Sequence, residues 1–394
     1  MNIRLLSLSA LAVFALSGCA STLTREEIAD ASNRCVFLHD SDHYTEAYPF
    51  CEKACENNDG TGCFVMGLFY NFGNKVERDY SEASQYYRKA CDLNKATACF
   101  NLGNLYRKGQ GVEVDYQQAS NYFLKACDLK ESSGCFNLAL FYSEGKGVEL
   151  DYELSNYYFR KACDLNNGGG CRNLADAYYS GEGIEQNFQQ AVYYYRKACS
   201  LDESKSCFDL GESYRKGEGV KQDYSMAGEY YLKACDMNYG AGCSNLGILY
   251  RNGMGVKQDR QRAAQYYERA CTVLNNGNGC SNLGNLYEKG EGVKQDFKQA
   301  RYYYDKACDN NSGPGCFNLG LFYIKGLGVT KDFFIASQHY RKACDFNVGQ
   351  ACNNLGALYQ YGVGVMKDYQ QARHYYRRAC DLNVNLGCRN LGKL

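Results

Sequence analysis

The chain has 394 residues but only two prolines and no tryptophan. Proline is the strongest breaker of helices, so its scarcity among many amphipathic segments favours helices over strands. Long hydrophobic runs are also missing, since the apolar run over residues 5–16 is too short to span a bilayer. These absences predict an all-α fold and leave the apolar run as a candidate export signal.

An excess of either charge is absent as well. Lys+Arg and Asp+Glu each total 44, so the formal net charge is zero, and the chain has no acidic tail. Binding to nucleic acid or to an anionic membrane surface usually requires a basic surface. We therefore expect no nucleic-acid partner, and membrane contact only through a lipid anchor.

Residues 1–19 have the pattern of a lipoprotein-type signal peptide. Arg4 precedes the apolar run, and Leu-Ser-Gly-Cys ends it at Cys19. This ending resembles bacterial lipoprotein signals, in which the cysteine becomes the lipidated first residue, and Ala20 resembles the sorting pattern for the outer membrane. Ordinary cleavage nearby, giving a secreted protein, is the alternative. Cysteine parity favours lipidation, because setting Cys19 aside leaves 22 cysteines that can all be paired.

A stretch typified by Cys91–Val112 recurs about every 36 residues to the end of the chain. A fixed period of this length indicates a solenoid, whose units stack only on their neighbours. In one unit, apolar spacings of three and four residues place Cys99 and Tyr106 on one face of a helix A, which a Gly-x-Gly loop ends. Asp115 then stands at the N-cap of a helix B. The short connection predicts an antiparallel helix hairpin.

Three columns keep this pattern from unit to unit. A small residue in helix A allows close helix approach, an Asp or Asn caps helix B, and an aromatic pair in helix B packs the core. The small residues are Gly67, Gly103, Ala139, Ala175, Gly211, Gly247, Gly284, Gly320, Gly356 and Gly392. The caps are Asp79, Asp115, Asp151, Asn187, Asp223, Asp259, Asp296, Asp332 and Asp368. The aromatic pairs run from Tyr86-Tyr87 to Tyr375-Tyr376, with His339-Tyr340 as a variant.

The paired cysteines predict a disulfide between the end of one helix B and the start of the next helix A. Regular pairs of this number indicate an oxidising compartment. The expected bridges are Cys55–Cys63, Cys91–Cys99, Cys127–Cys135, Cys163–Cys171, Cys199–Cys207, Cys235–Cys243, Cys271–Cys280, Cys308–Cys316, Cys344–Cys352 and Cys380–Cys388. Cys271–Cys280 encloses one extra residue. Cys35–Cys51 is the remaining pair, although Cys51 and Cys55 lie one helical turn apart and could exchange partners.

The repeated Ala-x-x-Tyr-Tyr-x-Lys-Ala-Cys-Asp-Leu and Gly-Cys-x-Asn-Leu-Gly-x-Leu-Tyr motifs resemble Sel1-like repeats, a branch of the tetratricopeptide-like repeats. The cysteine pairs narrow the resemblance to the Helicobacter cysteine-rich proteins. It covers the chain from about residue 50 onward. It implies a right-handed α/α superhelical solenoid whose helices A line a concave surface, and it associates the family with penicillin binding and β-lactam hydrolysis.

Helix A also has a face turned away from the core, and its residues are the candidate partner-binding positions. One column is nearly constant: Asn101, Asn137, Asn173, Asp209, Asn245, Asn282, Asn318, Asn354 and Asn390. An amide can donate to and accept from a peptide backbone, or it can bond neighbouring helices and fix the stacking. Beside it, residue type varies from unit to unit at positions that include Phe100, Phe136, Arg107, Arg215 and Arg251. We expect this variation to carry specificity for a protein or peptide.

An enzymatic function is the alternative that the resemblance brings. Ser-x-x-Lys occurs at Ser143 and Ser213, but at unrelated repeat positions, and neither Ser-Asp-Asn nor Lys-Thr-Gly is present. The chain has four histidines, of which only His39 and His43 are close in sequence, and we interpret them as part of a solvated loop. No catalytic residue can be assigned, and we expect neither a metal nor a cofactor. If the protein is an enzyme, it is a β-lactamase-type hydrolase.

The sequence therefore predicts a signal peptide (1–19), a tether (20–30) and a solenoid of about ten helix hairpins with a C-terminal half-repeat cap (31–394). We expect an exported outer-membrane lipoprotein that faces the periplasm or the cell surface, or alternatively a secreted protein. The expected function is binding of proteins or extended peptides in the cell envelope or at the host interface, by a monomer.

Overall fold

A computed structural model describes residues 23–394. The predicted signal peptide and Cys19 lie outside these residues. The chain divides into two compact units, the first ending at Gly134 and the second comprising Cys135–Leu394. All regular structure in the described part is helical, and none of these helices is long and apolar enough to cross a membrane.

Helices A and B alternate along the chain, as predicted for an all-α solenoid. The first hairpin consists of α1 (Arg25–Asp40) and α2 (Tyr44–Glu56). The helices A are α3 (Gly60–Phe72), α5 (Ala96–Lys108), α7 (Ser132–Glu144), α9 (Gly168–Ser180), α11 (Ser204–Lys216), α13 (Gly240–Asn252), α15 (Gly277–Lys289), α17 (Gly313–Lys325), α19 (Gly349–Tyr361) and α21 (Asn385–Leu391). The helices B are α4 (Tyr80–Asp92), α6 (Tyr116–Asp128), α8 (Tyr152–Asp164), α10 (Phe188–Ser200), α12 (Tyr224–Asp236), α14 (Arg260–Glu268), α16 (Phe297–Asp309), α18 (Phe333–Asp345) and α20 (Tyr369–Asp381).

The first helix begins earlier than the sequence predicts. Residues 25–30, which the sequence assigns to the tether, form the first turns of α1. Thr24 and Glu27 form a reciprocal capping box, in which the Thr24 Oγ1 accepts from the Glu27 amide at 3.2 Å and the Glu27 carboxylate accepts from the Thr24 amide at 2.8 Å. This local start signal, together with the burial of Ala31, explains why the helix begins there.

The predicted helix boundaries are confirmed by their caps. All nine Asp or Asn residues predicted to cap helix B accept a hydrogen bond from a backbone amide in its first turn. Each helix A before α21 ends on a glycine in the left-handed conformation, as at Gly109 with φ 67°, whereas α21 ends at Gly392 in the right-handed conformation. The second glycine of the loop permits close packing. A Cβ at Gly111 would lie 2.1 Å from the Tyr80 carbonyl carbon, so the loop packs directly on the preceding helix B.

The tyrosines of helix B are packing residues, as predicted. The first ring of each pair lies against the tyrosine that is seven residues after the helix A cysteine, as in Tyr287 and Tyr303, whose centroids are 5.4 Å apart and nearly parallel. The second ring covers the small residue of helix A. A Cβ at Gly247 would lie 2.6 Å from the ring of the fully buried Tyr267. The small column therefore exists because an aromatic ring occupies the space of its side chain.

Within each unit, disulfides join a helix B to the next helix A. The structure confirms ten of the predicted bridges, with Cα–Cα distances of 4.4–4.8 Å, and Cys127 and Cys135 are also disulfide-bonded. Cys35 pairs with Cys51, so the exchange with Cys55 does not occur. The bridges before Cys380–Cys388 are buried, which protects them from reduction and agrees with an oxidising compartment, whereas Cys388 in the last bridge is exposed.

The extra residue before Cys280 is absorbed in a π-helical turn. After α14 the chain continues through Arg269–Val273 with π geometry, and the Leu274 amide donates to the Arg269 carbonyl at 3.2 Å. The bridge Cys271–Cys280 keeps a Cα–Cα distance of 4.5 Å, within the range of the others. The insertion is therefore taken up inside the end of helix B, and not only in the polar loop where the sequence places it.

Candidate functional site

The near-constant asparagine column lies half-buried along the helices A, and several of its members bond within the protein. The Asn245 Nδ2 donates to Glu212 Oε1 on the preceding helix A at 2.8 Å, and the Asn390 Nδ2 donates to Asn353 Oδ1 at 2.9 Å. Asn282 Nδ2 reaches Ser244 Oγ at 3.5 Å. In these units the amide links adjacent helices A, as the stacking interpretation requires.

Other members of the column do not bridge helices in this way. The Asn173 Nδ2 donates to the Gly169 carbonyl of its own helix at 2.8 Å. Asn354 Oδ1 accepts a 3.4 Å bond from Asn353, while the Asn318 side chain makes no hydrogen bond to any other residue in the described range. Asn101 and Asn137 are half-buried like the rest, and Asn137 has a partner of its own. Thus the column mixes amides committed to stacking with an amide that is available to a ligand.

The variable positions beside the column are partly exposed. Phe100 packs against Phe123 of helix B with centroids 5.9 Å apart, and Phe136 lies 5.8 Å from Phe159. Each phenylalanine therefore contributes one face to the core and keeps part of its surface in solvent. Such half-buried aromatic rings can contact an apolar ligand with little loss of side-chain entropy.

The three arginines named from the sequence are held by acceptors on the same surface. Arg215 makes a bidentate pair with Glu212, with Nη2–Oε2 at 2.6 Å, and these hydrogen bonds raise its pKa. Arg251 Nε lies 3.1 Å from Glu291 Oε2. Arg107 Nη2 donates to Asn104 Oδ1 at 3.0 Å. Because their partners fix their direction, the guanidinium groups form an ordered polar surface.

Two cavities of the second unit are lined by helices A together with the helix B between them. One, of about 400 Å³, is lined mainly by α8 and α9 with Ser143 from α7, and the other, of about 360 Å³, is lined by α11, α12 and α13. They share equivalent positions two repeats apart: Tyr152 and Tyr224, Phe159 and Tyr231, Asn173 and Asn245, Ala177 and Leu249. The asparagine column therefore lines a cavity at equivalent positions in two repeats.

The two cavities differ in chemistry at the variable positions. Asp176 and Glu182 line the first, where the second has Ile248 and Met254. The shared positions define where a ligand would lie. The variable positions define which ligand side chains each cavity could accept.

In several repeats the hydroxyl group of the second helix B tyrosine hydrogen-bonds to a side chain on helix A, which the sequence does not predict. Tyr195 donates to Asp176 Oδ1 at 2.6 Å, and Tyr376 donates to Gln360 Oε1 at 2.6 Å. Tyr304 lies 2.8 Å from Asn285 Oδ1 and 2.6 Å from Glu288 Oε2. The sequence does contain a signal for these hydrogen bonds. In these repeats a side chain that can accept a hydrogen bond stands five or eight residues after the helix A cysteine, and helix B carries a tyrosine as the second residue of its aromatic pair.

The Ser-x-x-Lys pairs do not form a nucleophile with its base. Ser143 lines the first cavity, but its Oγ donates to the Leu140 carbonyl at 2.9 Å, and the Lys146 ammonium lies 2.6 Å from Glu144. Ser213 is buried, and its Oγ donates to the Asp209 carbonyl at 3.1 Å. A catalytic serine needs a base within hydrogen-bond reach of its own hydroxyl, and neither serine has one.

Three of the histidines, His39, His339 and His374, pack against aromatic rings in the structure. His39 is expected in a solvated loop, but it lies at the end of α1 and its ring meets the edge of Phe69 at 5.5 Å. His339 stacks on Tyr323 at 5.6 Å, and burial lowers its pKa. Within residues 23–394 no cluster of His, Cys, Asp and Glu side chains could hold a metal ion.

The sequence pattern of the Sel1 repeat matches the chain nine times. The matched stretches are residues 61–95, 96–131, 132–167, 169–203, 204–239, 240–272, 277–312, 313–345 and 349–384. The chain belongs to the Sel1 repeat family. Each match contains one helix A and the helix B that follows, so the family unit coincides with the hairpin in the structure. The sequence-based recognition of Sel1-like repeats is confirmed.

Solved structures with Sel1 repeats share the fold. A protective antigen of uropathogenic Escherichia coli that displays an SLR fold is 26% identical, with a TM-score of 0.64 over 94% of this chain and 90% of that chain. A Sel1 repeat protein from Oxalobacter formigenes is 24% identical, with a TM-score of 0.64 over 78% of this chain and 89% of that chain. The Helicobacter pylori cysteine rich protein B is 33% identical over 34% of this chain and 96% of that chain, with a TM-score of 0.29. No curated protein sequence matches the chain.

Proposed function

We propose that this Sel1 repeat protein is an exported scaffold that binds extended segments of other proteins along its helices A. The observation that carries the proposal is the recurrence of one cavity at equivalent positions, with constant residues beside variable ones. Adjacent packed helices lie about 8–10 Å apart, and an extended chain advances about 3.3 Å per residue. One repeat would therefore correspond to roughly three residues of the ligand.

The compartment assigned to this function is the cell envelope or the cell surface. The disulfides support export, because a reducing cytosol would not maintain them. We propose lipidation at Cys19 as the anchor, with the outer membrane as its destination. Surface exposure is supported by the similarity to the uropathogenic E. coli protein, which is described as a protective antigen. Labelling with a palmitate analogue tests the anchor: the label must disappear in Cys19→Ala.

The asparagine column gives a direct test of binding, because two of its members differ in their internal bonds. The Asn318 side chain makes no hydrogen bond to another described residue, whereas the Asn245 side chain donates to Glu212. We expect Asn318→Ala to weaken binding of a partner captured from envelope extract by about threefold to tenfold, since a ligand hydrogen bond is worth roughly 0.5–1.5 kcal/mol. Its unfolding midpoint should not change.

Asn245→Ala is the matched control for stacking. It should lower the unfolding midpoint, because Glu212 Oε1 then loses a donor. If Asn318→Ala binds the partner as tightly as the parent protein, the column serves stacking alone and the proposed binding mode is wrong. The structure supplies no observation that favours β-lactam hydrolysis.

A further inference from the structure

Two apolar residues near the C-terminus occupy positions that are polar in every other repeat. Phe334 is the second residue of α18, and Met366 precedes the last cap by two residues. The residues at the position of Phe334 are Ser81, Gln117, Glu153, Gln189, Ser225, Gln261, Lys298 and Gln370. The residues at the position of Met366 are Glu77, Glu113, Glu149, Glu185, Lys221, Lys257, Lys294 and Thr330. Since the repeat itself tolerates polar residues here, its stability does not require these apolar side chains.

These two residues come together on the surface. Both line a cavity of about 600 Å³, whose charged lining residues are Arg341, Lys342 and Asp345. Phe334 is 58% exposed and Met366 is 89% exposed. We refer to Phe334, Arg341, Lys342 and Met366 as the C-terminal patch. An exposed apolar cluster beside cations marks an interaction surface for an acidic partner that also carries an apolar group.

The neutral net charge of the chain conceals a strong separation of charge. Residues 313–394 contain ten Lys or Arg and four Asp or Glu, whereas residues 23–59 contain three Lys or Arg and nine Asp or Glu. The acidic segment forms the α1–α2 hairpin. On α1, Phe37 is 71% exposed, and the side chains of Asp30 and Asp40 are 62% and 70% exposed. This surface of α1 combines an exposed apolar ring with exposed carboxylates, which are the two features that the C-terminal patch requires of a partner.

We propose that the C-terminal patch of one molecule binds the α1 surface around Phe37 of a second copy. The contact joins two different surfaces, so it is heterologous and leaves one surface of each kind free at the ends of a dimer. Opposite charges would guide the two surfaces together, and Phe37 would contact Phe334 and Met366. This association is independent of the ligand of the helices A, and it replaces the expectation of a monomer.

Sedimentation velocity on the full exported chain, with its disulfides formed, tests the proposal. We expect oligomers that grow with protein concentration at low salt and dissociate in about 1 M salt, where the screening length is about 3 Å. Phe334→Gln with Met366→Lys should weaken association at least about tenfold, because these are residues that other repeats carry at the same positions. A protein that stays monomeric at low salt and high concentration would overturn the proposal.

Mixing two variants identifies the geometry of the contact. Phe37→Gln keeps the C-terminal patch, and the Phe334→Gln/Met366→Lys variant keeps the α1 surface. Neither should associate alone, whereas their mixture should form a 1:1 dimer that grows no further. Phe72→Gln, which removes a ring that is 63% exposed on α3, is the matched control and should associate like the parent chain. No dimer in the mixture, or equal loss in the control, would contradict a head-to-tail contact.

Discussion

At the scale of single residues, Asp209 gives the helix A face a property that the surrounding asparagines do not have. Its Oδ2 is buried without a hydrogen bond, and the Lys205 ammonium lies 3.5 Å away. Burial raises the pKa of Asp209 to about 6, with Asp176 adding to the effect against the opposing charge of Lys205. At neutral pH the Asp209 side chain of the folded protein is therefore charged, although its buried surroundings favour the neutral acid.

We expect Asp209→Asn to stabilise the protein at neutral pH. The unfolded carboxyl titrates near 3.9, so the folded parent binds the extra proton between about pH 4 and pH 6 and loses stability as pH rises through that window. The variant should lack this loss and gain roughly 1–3 kcal/mol at about pH 7, with little gain near pH 4. Urea midpoints measured across this range test it.

The exposed Asp381→Asn is the matched control, since it removes the same charge from the surface of α20. It should shift the urea midpoint little at any pH in the window. An equal gain for Asp209→Asn at pH 4 and pH 7 would show that titration of the carboxyl is not its cause.

At the scale of elements, the disulfide is a local link between one hairpin and the next. Cys308 lies in the last turn of α16 and Cys316 lies in the first turn of α17, with Cα atoms 4.5 Å apart. Neighbouring repeats already share a buried core through Tyr304, Leu319 and related residues. The bridge therefore adds to packing that would exist without it, and its main effect is on the unfolded chain.

Replacing both Cys308 and Cys316 with Ala should destabilise the α16–α17 junction by about 2.5 kcal/mol, the closure entropy of a loop of about nine residues. The helices should remain, because their caps and core contacts are unchanged. Hydrogen exchange resolved by peptide should accelerate most in α16 and α17.

The bridge Cys380–Cys388 offers a comparison, because it joins α20 to the seven-residue α21. Its removal should loosen α21 while protection in α16 and α17 stays as in the parent chain. Uniformly faster exchange along the whole chain in both variants would contradict the local role of the bridges.

At the scale of the whole molecule, the sequence predicts the fold far better than the site. Caps, glycine ends, aromatic pairs and disulfides recur, so each unit repeats the same signals and all can be predicted by residue number. The proposed ligand-facing residues differ from one unit to the next. Their roles depend on contacts between helices, which the repeated pattern does not reveal. The Tyr304 hydroxyl bonded to Glu288, and Asn245 bonded to Glu212, are contacts of this kind.

The absence of a base at either Ser-x-x-Lys serine leads to a prediction for the whole protein. We expect no turnover of a chromogenic cephalosporin above a heat-denatured control, because the Ser143 and Ser213 hydroxyls both donate to main-chain carbonyls. Ser143→Ala and Ser213→Ala should leave that background unchanged. Turnover that either substitution abolishes would restore the hydrolase hypothesis.

The π-helical turn at Arg269–Val273 shows how the chain accommodates one inserted residue without disturbing the repeats that follow. One inserted residue shifts every later position in the sequence, yet the hairpin that starts at α15 has the same cap, glycine end and bridge as its neighbours. The end of helix B therefore accommodates the inserted residue, and the repeats that follow keep the regular structure. Lengthening or splicing of the array is best attempted at this junction, because a change of length there does not propagate.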